Sequence, residues 1–247
     1  MTGRILCVTD MHLMPGADAG RDARLAALLD TARDVDGLYC LGDTFNYWYE
    51  KGHHALDGYR PLCDMFRAAV ARGVRLFFLR GNRDSFAGRE LERRTGGVIL
   101  PEVHLLSFGG RRILLTHGDM FDRASWWFDV ARRHFFYGWA GELLRWTLPW
   151  AAERRITEPI AAGRRHIERA ELPFSKSRLD DARVCAAVRE HAADWVICGH
   201  FHTGDDAQLA VDGRPVRRFV LPPWFRAGAC LDISETSVQS HGGAGGM

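Results

Sequence analysis

Trp195-Val196-Ile197-Cys198-Gly199-His200-Phe201-His202 carries the fold assignment of this chain. Four apolar residues suit a buried strand, and the run stops at a glycine followed by two histidines one residue apart. Open α/β sheets bind ligands beyond the carboxyl ends of their strands, which is where these imidazoles fall. In an extended segment positions i and i+2 point the same way, so His200 and His202 are expected to face one site. A lone His-x-His is weak evidence, and it needs partners at the ends of other strands.

Outward from that stretch the same punctuation recurs. Residues 4–9 form an apolar run that stops at Asp10-Met11-His12, and residues 37–41 form another that stops at Gly42-Asp43. Residues 74–79 lead into Gly81-Asn82-Arg83-Asp84. Two further runs, 103–108 and 111–116, meet at Gly109-Gly110 as a hairpin, and the second stops at His117-Gly118-Asp119. Helical periodicity occupies 22–33, 59–72, 84–95 and 178–192, and strands are expected near 206–211, 216–221 and 228–233. Strands alternating with helices predict a layered α/β architecture with its site along the carboxyl edges of the strands. The end of the chain from Ser234, with glycines at 242, 243, 245 and 246, reads as a disordered tail over 235–247 in which His241 is incidental.

The rhythm breaks at residues 123–174. Trp126, Trp127, Phe128, Phe135, Phe136, Tyr137, Trp139, Trp146 and Trp150 are interleaved there with Arg132, Arg133, Arg145, Arg154, Arg155, Arg164 and Arg165. A connector does not need so many aromatics beside so many arginines. The stretch reads as a helical cap, inserted between a core of 1–122 and 175–234, that contacts an amphipathic substrate or a membrane surface.

Composition narrows the setting. The 247 residues carry a net charge of +2, so bulk electrostatics do not call for nucleic acid, and no obligate protein partner is indicated. The six cysteines contain no C-x-x-C pair, which suits free thiols in a reducing compartment. No signal peptide and no apolar stretch of transmembrane length is evident, so a cytoplasmic protein lying peripherally at the inner membrane is expected.

Collected, the strand-end groups are Asp10, His12, Asp43, Asn82, His117, His200 and His202. Any one of them alone would be ordinary turn or capping chemistry. Five strand ends presenting ligands together are not. Two carboxylates, an amide and four imidazoles without a thiolate suit Mn²⁺, Fe or Zn²⁺ better than Ca²⁺ or Mg²⁺. Seven donors exceed one cation and match two divalent ions, Mn²⁺ foremost, with Asp43 as the bridge.

These blocks, in this order over residues 10–202, resemble the five-block signature of the calcineurin-like metallophosphoesterases. The resemblance implies a two-layered β-sandwich flanked by helices. It also implies that Asp10, His12, Asp43 and His202 bind one metal, and Asp43, Asn82, His117 and His200 the other. Finer features resemble the UDP-2,3-diacylglucosamine diphosphatase branch of lipid A synthesis: Gly42-Asp43-Thr44-Phe45-Asn46-Tyr47-Trp48, the arginine of Gly81-Asn82-Arg83-Asp84, Ser175-Lys176-Ser177, and Trp224 with Gly228. That likeness implies a hydrolase in which a metal-bound hydroxide cleaves the phosphoanhydride of a UDP-linked glycolipid, releasing UMP and a lipid monophosphate. Asn82, Arg83 and His200 would act on the phosphate, with Asp122, Phe128, Ser175 and Lys176 as further substrate positions. Asp84 would hold Arg83 or His117 from behind. The chain departs from the branch at Asp122-Arg123-Ala124-Ser125, at Phe128, at Phe201 and Thr203, and at Pro222-Pro223-Trp224. None of these is a metal-ligand position, and all are substrate-facing. A phosphoesterase acting on another ester is the alternative, and a non-catalytic scaffold is disfavoured because all seven ligands are intact.

Overall fold

The computed structural model describes residues 3–48, 56–123 and 178–241. In chain order its elements are β1 (Arg4–Val8), α1 (Ala19–Thr31), β2 (Leu38–Leu41), α2 (Arg60–Ala71), β3 (Leu76–Leu79), α3 (Arg89–Thr95), β4 (Val98–Ile99), β5 (Val103–Phe108) and β6 (Arg111–Thr116). After the insertion come α4 (Asp181–His191), β7 (Trp195–Cys198), β8 (Asp205–Val211), β9 (Arg214–Val220), α5 (Trp224–Ala227), β10 (Cys230–Ser234) and β11 (Val238–His241).

The strands form two sheets, a six-stranded one in the order β11-β10-β1-β2-β3-β4 and a five-stranded one in the order β5-β6-β7-β9-β8. β1 to β4 run parallel, as do β6, β7 and β9, so in each sheet the strands that lead into the ligand blocks share a direction. Side-chain alternation explains why those strands read as continuous apolar runs: both faces are covered. In β1, Ile5 and Cys7 pack between the sheets against Ile113, Leu115 and Ile197, while Leu6 and Val8 face Leu25, Leu29 and Phe66 of α1 and α2. The second sheet turns Leu114, Val196 and Cys198 outward onto Val184 and Val188 of α4. The result is helix, sheet, sheet, helix, the layered α/β sandwich expected from the sequence.

Four elements depart from the sequence expectation: α3, β4, α5 and β11. α3 begins at Arg89 rather than near 84, because the Asp84 carboxylate is occupied by backbone N–H groups of neighbouring loops and residues 84–88 form a turn. The short elements β4 and α5 were not foreseen. Residues 235–241 are not a disordered tail. Ser234 Oγ accepts from Ser237 N at 2.9 Å to close a turn, and β11 then pairs antiparallel with β10 from Val238 opposite Ile233 to His241 opposite Cys230. The sequence Val-Gln-Ser-His is too polar to signal a strand, but an edge strand is held by main-chain bonds and needs one apolar face at most.

The cap expected over 123–174 lies, beyond Arg123, outside the described residues, as do Phe128, Ser175, Lys176 and residues 242–247. All six cysteines are free thiols, with Cys7, Cys40, Cys63 and Cys198 buried. No helix among the described residues is long and apolar enough to cross a membrane.

Candidate metal centre

Five strands deliver the predicted donors to one place. Asp10 and His12 follow β1, Asp43 follows β2, Asn82 follows β3, His117 follows β6, and His200 and His202 follow β7. Among the described residues seven non-glycine positions have positive φ, and five of them are Asp10 (50°), His12 (46°), Asp43 (50°), His200 (71°) and His202 (55°). A left-handed backbone costs a non-glycine residue roughly 1–2 kcal/mol, so the surrounding structure must hold these loops in place. The same angles correct the argument from an extended His-x-His. His200 and His202 are not on one strand face. Their left-handed turns part them, His200 toward His117 and His202 toward His12.

The two halves are compact. His202 Nε2 lies 3.2 Å from both Asp10 Oδ1 and His12 Nε2, and His12 Nε2 is 3.8 Å from Asp10 Oδ1. On the other side His117 Nε2 lies 3.3 Å from Asn82 Oδ1 and 3.8 Å from Asp43 Oδ1. Its Nδ1 sits 2.9 Å from the Leu41 carbonyl, which suits the neutral tautomer with Nδ1–H donating and the Nε2 lone pair facing the site. The His200 ring packs edge-on against His117 at 5.2 Å. Asp43 spans both halves, with Oδ1 toward His117 and Oδ2 4.0 Å from His12 Nδ1. Two triads, Asp10-His12-His202 and Asp10-Asp43-His117, each place their ligand atoms within 4.8 Å of one another.

This donor set fits divalent cations. Buried His12 Nδ1 has no hydrogen-bond partner among the described residues, an arrangement that is costly unless something else satisfies it. Burial, with the nearby Arg83 charge, pushes the His12 imidazole down to about 3, so it is a neutral ligand over the whole working range. His117 goes the other way: burial lowers it, but Asp43, Asp10 and Asp119 outweigh that and raise it to about 9. Asp10 and Asp43 are held well below the usual carboxylate range despite burial, chiefly by a hydrogen bond to His202 for Asp10 and by the His117 charge for Asp43.

A linkage follows for protein stripped of metal by a chelator. The folded His117 value lies above its ordinary 6.5, so its stabilising contribution is full below about pH 6.5 and is lost as pH rises through about 9. Metal binding requires the neutral ring, so cation and proton compete. Denaturation midpoints of the stripped protein should therefore fall from pH 6.5 to 9 while those of metal-loaded protein change less. Calorimetric titration with Mn²⁺ in buffers of different ionisation heat should show proton release.

The loops meet closely enough to require glycine. A Cβ on Gly199 would stand 1.9 Å from Thr9 Oγ1 and 2.5 Å from Asp10 Oδ2, and one on Gly81 would stand 2.2 Å from Asp43 Oδ1. Gly199→Ala should displace Asp10, because Thr9 Oγ1 and the His200 N–H donate to Asp10 Oδ2 at 2.8 and 3.0 Å. A roughly 10- to 100-fold loss of Mn²⁺ affinity is expected by titration, with smaller effects at exposed Gly110, whose Cβ would meet nothing within 4 Å.

Around these donors the remaining candidates are distributed unevenly. Arg83 is buried. Its N–H donates to Asp43 Oδ1 at 2.8 Å, its Nε lies 3.5 Å from Asp43 Oδ2, and its Nη1 donates to Asn46 Oδ1. Asp122 accepts the Arg178 N–H at 2.9 Å through Oδ1 and stands with Oδ2 3.4 Å from His200 Nε2, so it joins the root of the insertion to the centre. Asp84, expected from sequence to fix Arg83 or His117, uses its carboxylate elsewhere. It accepts four backbone N–H groups, from Asp43 and Gly81 on Oδ1 and from Thr44 and Phe45 on Oδ2. Burial, reinforced by Asp43, pushes it up to about 6. Sequence reasoning missed Asn46 as the partner of Arg83, Thr9, and Phe225, whose ring lies 5.2 Å from His12 and 5.6 Å from His202. The polar Asn46 inside an aromatic run was the one visible signal.

Fold and donors together define a metal-dependent phosphoesterase of layered α/β architecture, its ligands gathered at strand ends from both sheets. The chain belongs to the calcineurin-like phosphoesterase family, whose model matches residues 3–204. The family implies a dinuclear divalent-metal site, and the two ligand triads are its candidate halves. The chain is 31% identical over 237 residues to a UDP-2,3-diacylglucosamine hydrolase of Aeromonas salmonicida, covering 93% of this chain and 89% of that one. It is 29% identical over 235 residues to the enzyme of the same name from Salmonella agona, covering 95% and 96%. A solved archaeal phosphodiesterase aligns over 96% of this chain and 98% of its own with 12% identity and a TM-score of 0.45.

Proposed function

We propose that this hydrolase cleaves the phosphoanhydride of UDP-2,3-diacylglucosamine, giving UMP and 2,3-diacylglucosamine 1-phosphate. The observation that supports it best is the two-sided donor cluster spanned by Asp43, in a chain whose relatives over nearly full length carry that hydrolase name. Asp10, His12, Asp43 and His202 would hold one divalent ion, and Asp43, Asn82, His117 and His200 the other, with Mn²⁺ as the expected metal. When bound, such a pair neutralises charge on phosphoryl oxygens and lowers the pKa of water.

The chain's own residues then have distinct tasks. Asn82 and His200 flank the second half of the centre and orient the phosphoryl group there. Arg83, held flat by Asn46 and Asp43, lends fixed positive charge beneath the bridging carboxylate. The P–O bond to the lipid-side phosphate breaks, water supplies the new oxygen, and the freed phosphate oxygen leaves on the lipid. Asp122 at the root of the insertion, with Phe128, Ser175 and Lys176, would face the glycolipid half, and the aromatic insertion over 123–174 would shelter its acyl chains. Work at the inner membrane face, with the protein bound peripherally, follows from so apolar a substrate.

The test is release of UMP from UDP-2,3-diacylglucosamine in detergent, with Mn²⁺ present and then removed by chelator. Metal-dependent UMP release supports the reading. Turnover of bis-p-nitrophenyl phosphate alone would keep the metal centre and overturn the glycolipid assignment.

A further inference from the structure

A cavity of about 600 Å³ opens beside the metal centre on the side of His202, between β9 of one sheet and β10 and β11 of the other. Its floor is apolar, formed by Phe219, Leu231 and Val238, with Pro222 and Pro223 on one wall. Its rim is polar and carries charges of both signs. Asp206 is taken by Arg217 through two bonds of 2.9 and 2.7 Å, and Asp205 shares Arg218 with Asp181. Arg226 makes no ion pair among the described residues and rests over the Phe225 ring at 5.7 Å. A guanidinium so placed can meet an anion at the cavity mouth.

Arg226 is not loosely attached. It belongs to α5, whose first two N–H groups donate to the carbonyls of Thr9 (from Trp224, 3.0 Å) and Asp10 (from Phe225, 3.3 Å). The Phe225 ring fills the space between Arg226 and the His12 and His202 rings. The α5 backbone is thereby tied to the loop that carries Asp10. The other end of the centre is different. The chain leaves the described core at Arg123 and re-enters at Arg178, joined by a 2.8 Å backbone bond, next to Asp122 and His200. A substrate with a phosphoanhydride in its middle has two unlike halves, and the centre has two unlike ends.

We infer that the cavity past His202 is the nucleotide subsite. It receives the uridine monophosphate half of the substrate, with the base against Phe219 and the two prolines and with Arg226 at the mouth lending positive charge to the nucleotide end. This rests on the glycolipid reading above and adds to it a direction, nucleotide toward His202 and lipid toward His200. A flat base with polar edges suits an apolar floor under a hydrogen-bonding rim, whereas an acyl chain gains nothing from Arg226, Asp205 or Ser240 at the mouth. Size agrees, since small-ligand sites enclose roughly 300–1,000 Å³.

Arg226 and Ala227 are both exposed, so each can be changed without disturbing the core. Calorimetry of Mn²⁺-loaded protein with UMP, and separately with 2,3-diacylglucosamine 1-phosphate, reads the two halves independently. Arg226→Glu and Ala227→Trp should each weaken UMP at least about tenfold, by reversed charge and by blocking the mouth, and change the lipid product less than about twofold. KM for the intact substrate should rise more than kcat falls. Unchanged UMP affinity in both variants, or loss of the lipid product instead, overturns the subsite. If the wild-type protein binds UMP at this site but releases none from the glycolipid, the subsite stands and the glycolipid reading fails. Absence of UMP binding to the wild-type protein overturns the subsite whatever the activity.

Discussion

Asp43→Ala lowers phosphoesterase turnover by at least about a thousandfold, or ~4 kcal/mol in activation free energy, and abolishes binding of one Mn²⁺ equivalent. The expectation follows from where its two oxygens stand, 3.8 Å from His117 Nε2 and 4.0 Å from His12 Nδ1. Asp10 also stands near both imidazoles, but it is Asp43 that turns one oxygen toward each. Removal also takes from Arg83 the carboxylate that its Nε and backbone N–H both face in a buried setting. A buried cation that loses its counter-charge is destabilised, so stability measured without metal should fall as well. Asp43→Asn separates the effects. It keeps one oxygen and the shape, should retain the fold, and should still lose the second metal equivalent. A variant that keeps two Mn²⁺ equivalents and turns over bis-p-nitrophenyl phosphate at the wild-type rate would remove Asp43 from the bridge.

Asp84→Asn should have the second largest effect, although Asp84 is placed on no ligand and no substrate. Its two oxygens accept N–H groups from Asp43, Thr44, Phe45 and Gly81, which ties the loop after β2 to the loop after β3. An amide keeps one accepting oxygen and turns an NH₂ toward N–H donors, leaving buried groups unsatisfied at roughly 1–3 kcal/mol each. A loss of about 3 kcal/mol in stability is expected by chemical denaturation, with Mn²⁺ affinity reduced roughly 10- to 100-fold. If instead only turnover falls while stability and metal affinity hold, Asp84 acts on the reaction and not on the loops.

Much of the fold was legible because its strands are buried on both faces, so β1, β2, β3, β6 and β7 appear as apolar runs that end in Gly, Asp or His. The hairpin of β5 and β6 was read at its true bounds because Gly109-Gly110 marks the turn locally. β11 was missed because its stability comes from pairing with β10, which no pattern in Val-Gln-Ser-His announces. The start of α3 was set too early because helical periodicity cannot show that the carboxylate of Asp84 is already committed elsewhere.

For the centre the division is similar. By itself the chain determined which side chains stand at strand ends, since turn residues and ligands follow each apolar run directly in sequence. From that came the donor types, their order and the family. Tertiary structure alone decided how they face one another. The left-handed turns at His200 and His202 send neighbouring imidazoles to opposite halves, Asp43 divides its oxygens between them, and α5 ties Arg226 beside the His202 half. These relations join residues up to about 190 positions apart, as in the 3.2 Å approach of His12 to His202. They depend on how two sheets pack, a long-range balance that local sequence pattern does not encode.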